Sequence, residues 1–74
     1  MKRATAIMLR LLERDDVTGI TLEKGSDGKG SVAGYRFEDR WSWLVAKTLA
    51  DAAQLAEHHF AKRLQIRRTP GDEQ

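Results

Sequence analysis

Few side chains in this 74-residue chain are arranged for chemistry. His58 and His59 are adjacent. On a helix their side chains leave about 100° apart, whereas helical metal pairs use i and i+4 spacing. Asp15-Asp16 and Glu38-Asp39 are acidic pairs. Paired carboxylates can act as acid and base or hold a cation, but no third ligand stands near either pair, and turn or cap duty accounts for both. Gly25 and Gly30 are separated by four residues. A phosphate loop needs Gly-Lys-Ser/Thr at its end and a helix after it; here Lys29 precedes the glycine and a strand-like run follows, which makes a hairpin turn at Asp27-Gly28. No nucleophile-elbow pattern surrounds any serine or threonine. The residues assemble no nucleophile, base and orienting group, so no catalysis, metal or cofactor is expected.

Trp41 and Trp43 carry more information. At i and i+2 on a strand they share a face, and the turn before them decides which face. If Glu38, Asp39 and Arg40 form a three-residue loop, Phe37 pairs with Trp41. Tyr35, Phe37, Trp41, Trp43 and Val45 then line the core. If only Glu38 and Asp39 turn, Phe37 pairs with Arg40, and both indoles move to the opposite face beside Arg36 and Gly34. The expectation is that at least one indole lies in the core. Exposed, Trp41 and Trp43 with Arg36 and Arg40 would form a partner-binding patch, because Trp and Arg dominate interface hot spots.

The elements that must position these residues follow from periodicity. Residues 4–14 read as a helix, with Ala4, Met8, Leu11 and Leu12 at helical spacing and Ile7 beside them. Residues 17–24 alternate as a half-buried strand, and Ser31 to Phe37 reads as a second. Residues 41–46 read as a third strand, because Thr48 and Asp51 have the form of a capping box that starts the next helix only at Leu49. Leu49, Ala52, Ala53, Ala56, Phe60 and Leu64 make one helical stripe down to about Ile66. The predicted fold is α+β, helix, three-stranded antiparallel sheet, helix (αβββα), over residues 1–66. The alternative is αββα with a longer second helix. Residues 67–74 are expected to be a polar, disordered tail, with Thr69-Pro70-Gly71 breaking any helix.

Composition narrows the function classes. A chain this short buries only about 60% of its unfolded surface and leaves little room for an enclosed pocket. It has no cysteine, so no disulfide framework. No signal peptide or apolar run of about 20 residues is present, which places the expected location in the cytoplasm, away from membranes. Thirteen basic and eleven acidic side chains leave a net charge of +2. That is compatible with nucleic acid without demanding it. Lys47, Lys62, Arg63, Arg67 and Arg68 are the candidate phosphate contacts.

The element order over Ala4 to Leu64 resembles the double-stranded-RNA-binding domain in topology. That resemblance implies phosphate contacts from the start of the last helix. The matching stretch here, Ala46-Lys47-Thr48-Leu49-Ala50-Asp51, offers one lysine followed by an acid. The sheet-then-helix order is also similar to sheet-type DNA-binding modules of some integrases. The expected function is a non-enzymatic binding module, a small regulator or inhibitor that occludes a protein partner. Its size is that of phage and mobile-element accessory proteins, anti-CRISPR proteins among them. The alternative is a small nucleic-acid-binding domain. Self-association as a homodimer through the same apolar surface is expected as well, because so small a core gains from it.

Overall fold

Ala4, Ile7, Met8 and Leu11 repeat at helical spacing, and all four are buried on one side of helix α1 (Arg3–Leu12). Strands β1 (Val17–Lys24), β2 (Ser31–Phe37) and β3 (Arg40–Ala46) follow, then helix α2 (Leu49–Arg68). The structure is a computed structural model that describes residues 2–25 and 30–68, the side chains of Arg67 and Arg68 excepted. The expected Asp27-Gly28 turn, the tail from Thr69 and the phosphate contacts at Arg67 and Arg68 lie outside the described residues or side chains. The backbone of α2 nevertheless continues through Arg68, two residues into the stretch read as tail.

The strands form one antiparallel sheet in the order β1-β2-β3. Both helices pack on the same face, α1 over β1 and α2 over β2 and β3. The αβββα reading therefore holds, and the longer-helix alternative falls. Ala52, Ala53 and Ala56 are fully buried, and these small residues bring α2 close to the sheet. The space is filled by Tyr35, Phe37 and Phe60, whose rings meet edge to face at centroid distances of 5.7 and 5.2 Å. Thr48 caps α2 as expected, its Oγ1 accepting from the Asp51 amide at 3.1 Å. No helix among the described residues is long and apolar enough to cross a membrane.

The turn between β2 and β3 corrects the expectation for the tryptophans. Phe37 pairs with Arg40, so only Glu38 and Asp39 turn. Both have positive φ, 57° and 62°. That is the two-residue hairpin whose twist matches the strands it joins. The three-residue loop would have put Trp41 and Trp43 under α2. The shorter turn shifts the register by one residue and sends both indoles to the other face.

Candidate functional site

The face without helices is built from alternate residues of all three strands. From the pairing, Gly19 and Thr21 of β1, Gly34 and Arg36 of β2, and Trp41 and Trp43 of β3 point to this side. Trp41 is 42% exposed, Trp43 57% and Val45 62%, which makes this an uncovered apolar surface and not a second core. The two indoles stack on each other, centroids 5.3 Å apart and planes 14° apart.

Two interior glycines allow the indoles to reach across the sheet. A Cβ on Gly34 would stand 2.7 Å from Cε3 and Cζ3 of Trp43, and one on Gly19 would stand 3.2 Å from Cη2 of Trp41. Sequence reasoning missed the part played by Gly19 and by Val45 on this side. The available signal was glycine inside a strand, which marks a close approach by another group.

The four residues read as one patch do not stay together. Trp41, Trp43 and Arg36 share the open face, with Arg36 directly across from Trp41. Arg36 also binds the Asp39 carboxylate at 3.2 Å. Arg40 pairs with Phe37, so it is exposed on the helix-bearing side of the sheet edge. The patch is therefore the two indoles, Arg36 and Val45, without Arg40.

The candidate phosphate contacts are also dispersed. Lys47 is exposed at one end of β3, and Lys62 is exposed on α2. Arg63 is at the other end of β3 and is committed to structure. It donates to Ser42 Oγ at 3.0 Å and to the Phe37 carbonyl at 3.4 Å. Its guanidinium also lies 4.7 Å from the Phe37 ring centroid and 3.9 Å from the Glu38 carboxylate. Arg63→Ala should lose about 1–2 kcal/mol of stability, from a desolvated cation–π contact and its hydrogen bonds. Lys62→Ala should stay within about 0.5 kcal/mol, as exposed substitutions do. Urea melts of the two variants would separate them. Equal midpoints would remove the structural role assigned to Arg63.

The remaining chemical candidates are absorbed by packing. His59 Nδ1 and the buried Tyr35 hydroxyl are hydrogen-bonded at 2.5 Å, whereas His58 is exposed. Tyr35→Phe should cost about 1 kcal/mol, because the imidazole then loses its buried partner. An unchanged urea midpoint would show that the bond adds nothing. Asp15 and Asp16 line an open cleft of about 870 Å³ with Arg10, Arg14 and Glu57. Both of its arginines are paired within it, Arg10 to Glu57 at 2.9 Å and Arg14 to Asp16 at 4.0 Å. Among the described residues no group of three or more His, Asp or Glu is placed to hold a metal ion.

Comparison with family models, with curated proteins and with solved structures finds no match for this chain. The likeness to double-stranded-RNA-binding domains thus rests on element order alone, and element order does not establish function.

Proposed function

We propose that this chain is a non-enzymatic binding module, a small regulator or inhibitor whose helix-free sheet face covers the working surface of a protein partner. The observation that carries the reading is the stacked Trp41–Trp43 pair, laid across Gly34 and Gly19 and left open to solvent. Interface cores are depleted in charge and enriched in aromatic residues and Arg. This face has that composition. At its strand positions the only cation among the described residues is Arg36, which is paired with Asp39, and Glu23 adds an acid. Such a surface suits a flat apolar patch on another protein. It suits a phosphate backbone poorly, because binding nucleic acid requires a row of available cations.

The test compares the wild-type chain with the double variant Trp41→Ala, Trp43→Ala as immobilised baits for a lysate of the source cell. Circular dichroism confirms that the variant is folded. The expected result is a protein retained by the wild type through about 0.5 M salt, where the Debye length has fallen to about 4 Å, and bound at least about tenfold more weakly by the variant, or about 1.4 kcal/mol. A folded double variant that retains the same protein equally well would refute the proposal. So would capture of nucleic acid alone, with affinity falling steeply as salt rises.

A further inference from the structure

Among the described residues, five of the seven large apolar side chains that remain exposed flank one edge of the molecule. Trp41, Trp43 and Val45 are on β3, and Leu55 and Ile66 are on α2, 45% and 72% exposed. Leu55 and Ile66 are eleven residues apart, about three helical turns, so they share a face. Glu57 is turned about 200° from Leu55 and meets Arg10 of α1. Arg63 is turned only about 80° from Leu55 and reaches Ser42 of β3. The Leu55–Ile66 stripe therefore faces away from α1, on the β3 side.

The two sheet edges differ. β1 carries a register shift between Val17 and Gly19, and it ends in Glu23 and Lys24. Bulges and charges of this kind blunt an edge against pairing. β3 has an unbroken register and no charged residue or proline from Trp41 to Ala46. No strand lies on its outer side among the described residues.

We propose that this edge pairs antiparallel with β3 of a second copy of the chain, about a two-fold axis at Trp43, to make one six-stranded sheet. Trp43 is the middle residue of β3, so this register pairs the whole strand; a shift to either side leaves two residues of each strand unpaired. It sets Trp43 against the partner's Trp43, Trp41 against the partner's Val45, Ser42 against the partner's Leu44, and Arg40 against the partner's Ala46. Among the paired strand residues no like charges face each other, and Lys47, just beyond the strand, comes beside the partner's Asp39. Every contact is repeated by symmetry, as an isologous interface requires. The helices fit the same arrangement. α2 lies over β2 and β3, about half a strand spacing inside the edge, so the two α2 axes come to roughly 10 Å apart. That is helix-packing distance, with Leu55, Lys62 and Ile66 on the facing sides. Edge pairing uses the β3 backbone and brings the indoles beside their partners' side chains while their outer side stays open, so it goes beyond the reading of the open face and does not depend on it.

Sedimentation equilibrium on the wild-type chain should show a mass rising with concentration from 8.4 kDa to twice that value. The absence of cysteine makes the register testable. Trp41→Cys and Val45→Cys chains, mixed and mildly oxidised, should cross-link to each other. Neither should cross-link to its own kind, because like residues then stand about 13 Å apart along the strand, beyond disulfide reach. Ser42→Cys mixed with Leu44→Cys tests the same register from the other side of the sheet, should the loss of Trp41 impair folding. Leu55→Glu should weaken the dimer at least about tenfold while the monomer stays folded. A wild-type chain still monomeric at about 1 mM, equivalent to less than about 4 kcal/mol of association, would overturn the proposal. So would cross-linking between like cysteines.

Discussion

Phe60→Ala is expected to remove about half of the folding stability of this chain. Phe60 is buried, and its ring is the junction between the layers, meeting Tyr35 of β2 at 5.7 Å and Phe37 of β2 at 5.2 Å. The Arg14 guanidinium covers it from the turn after α1, 5.3 Å from the ring centroid. The loss has two parts. Truncating a buried Phe costs about 3–5 kcal/mol in transfer and cavity terms. Two edge-to-face pairs add about 0.5–1.5 kcal/mol each to what the ring contributes, partly counted already in that range. Against this, a domain of this length holds only about 4–11 kcal/mol in total. The neighbouring residues on α2 cannot close the gap, because Ala52, Ala53 and Ala56 have no side-chain length to extend into it. Urea unfolding followed by far-ultraviolet circular dichroism should show the midpoint lowered by about half. Leu55→Ala, at an exposed position on the same helix, should move the monomer's stability by no more than about 0.5 kcal/mol. A loss below about 1 kcal/mol for Phe60→Ala would mean that the aromatic cluster does not hold the layers together.

The layer positions of the aromatics show which parts of this fold were readable from the chain. The stripe from Leu49 to Leu64 repeats at helical spacing and could bury only one way, so α2, its Thr48 cap and its buried face were legible in advance. β1 and β2 alternate, and Tyr35 and Phe37 had to share a side. The third strand was legible because the cap at Thr48 fixed where the helix begins. What was not legible was one residue of register. Two-residue hairpins of this geometry prefer Asn-Gly or Asp-Gly, because both residues need positive φ. Glu38-Asp39 lacks the glycine, and a non-glycine residue at positive φ is uncommon. Partners visible only in three dimensions accompany it: Arg36 binds Asp39, and Arg63 reaches Glu38 from α2. That single residue decided whether two indoles were core or surface. It also separated Arg40 from them, since an odd and an even position on a strand cannot serve the same face. The contacts of Arg63 were not legible for a related reason. Its composition suggested a phosphate contact, and only the packing of α2 on β3 shows that its charge is already engaged.

Gly34→Val should break the indole platform while the helix-bearing layer stays folded. Two effects oppose each other. Valine suits a strand better than glycine, and across the β-propensity scale that preference is worth up to about 1 kcal/mol. Gly34, however, is buried between its cross-strand neighbours. Even its first added carbon would stand 2.7 Å from Cε3 and Cζ3 of Trp43 and 2.8 Å from Cγ2 of Thr21. Valine adds two methyl groups to that overlap. Overpacking of this kind costs about 1–3 kcal/mol, so the clash exceeds the propensity gain and the net effect is destabilising by about 1–2 kcal/mol. The indole is the group able to yield, because its outer side is open to solvent. Moving it ends the 5.3 Å stack with Trp41. The expected signature is therefore a red-shifted tryptophan emission, a modest loss in urea midpoint, and weaker binding by the open face. The Trp43→Ala background isolates the cause. With the ring gone, only the overlap with Thr21 remains and the valine should cost less, and the coupling between positions 34 and 43 should reach at least about 1 kcal/mol in a double-mutant cycle. Additive effects at the two positions would mean that Gly34 is not what lets Trp43 lie across the sheet, and the structural basis for the binding face would fail with it.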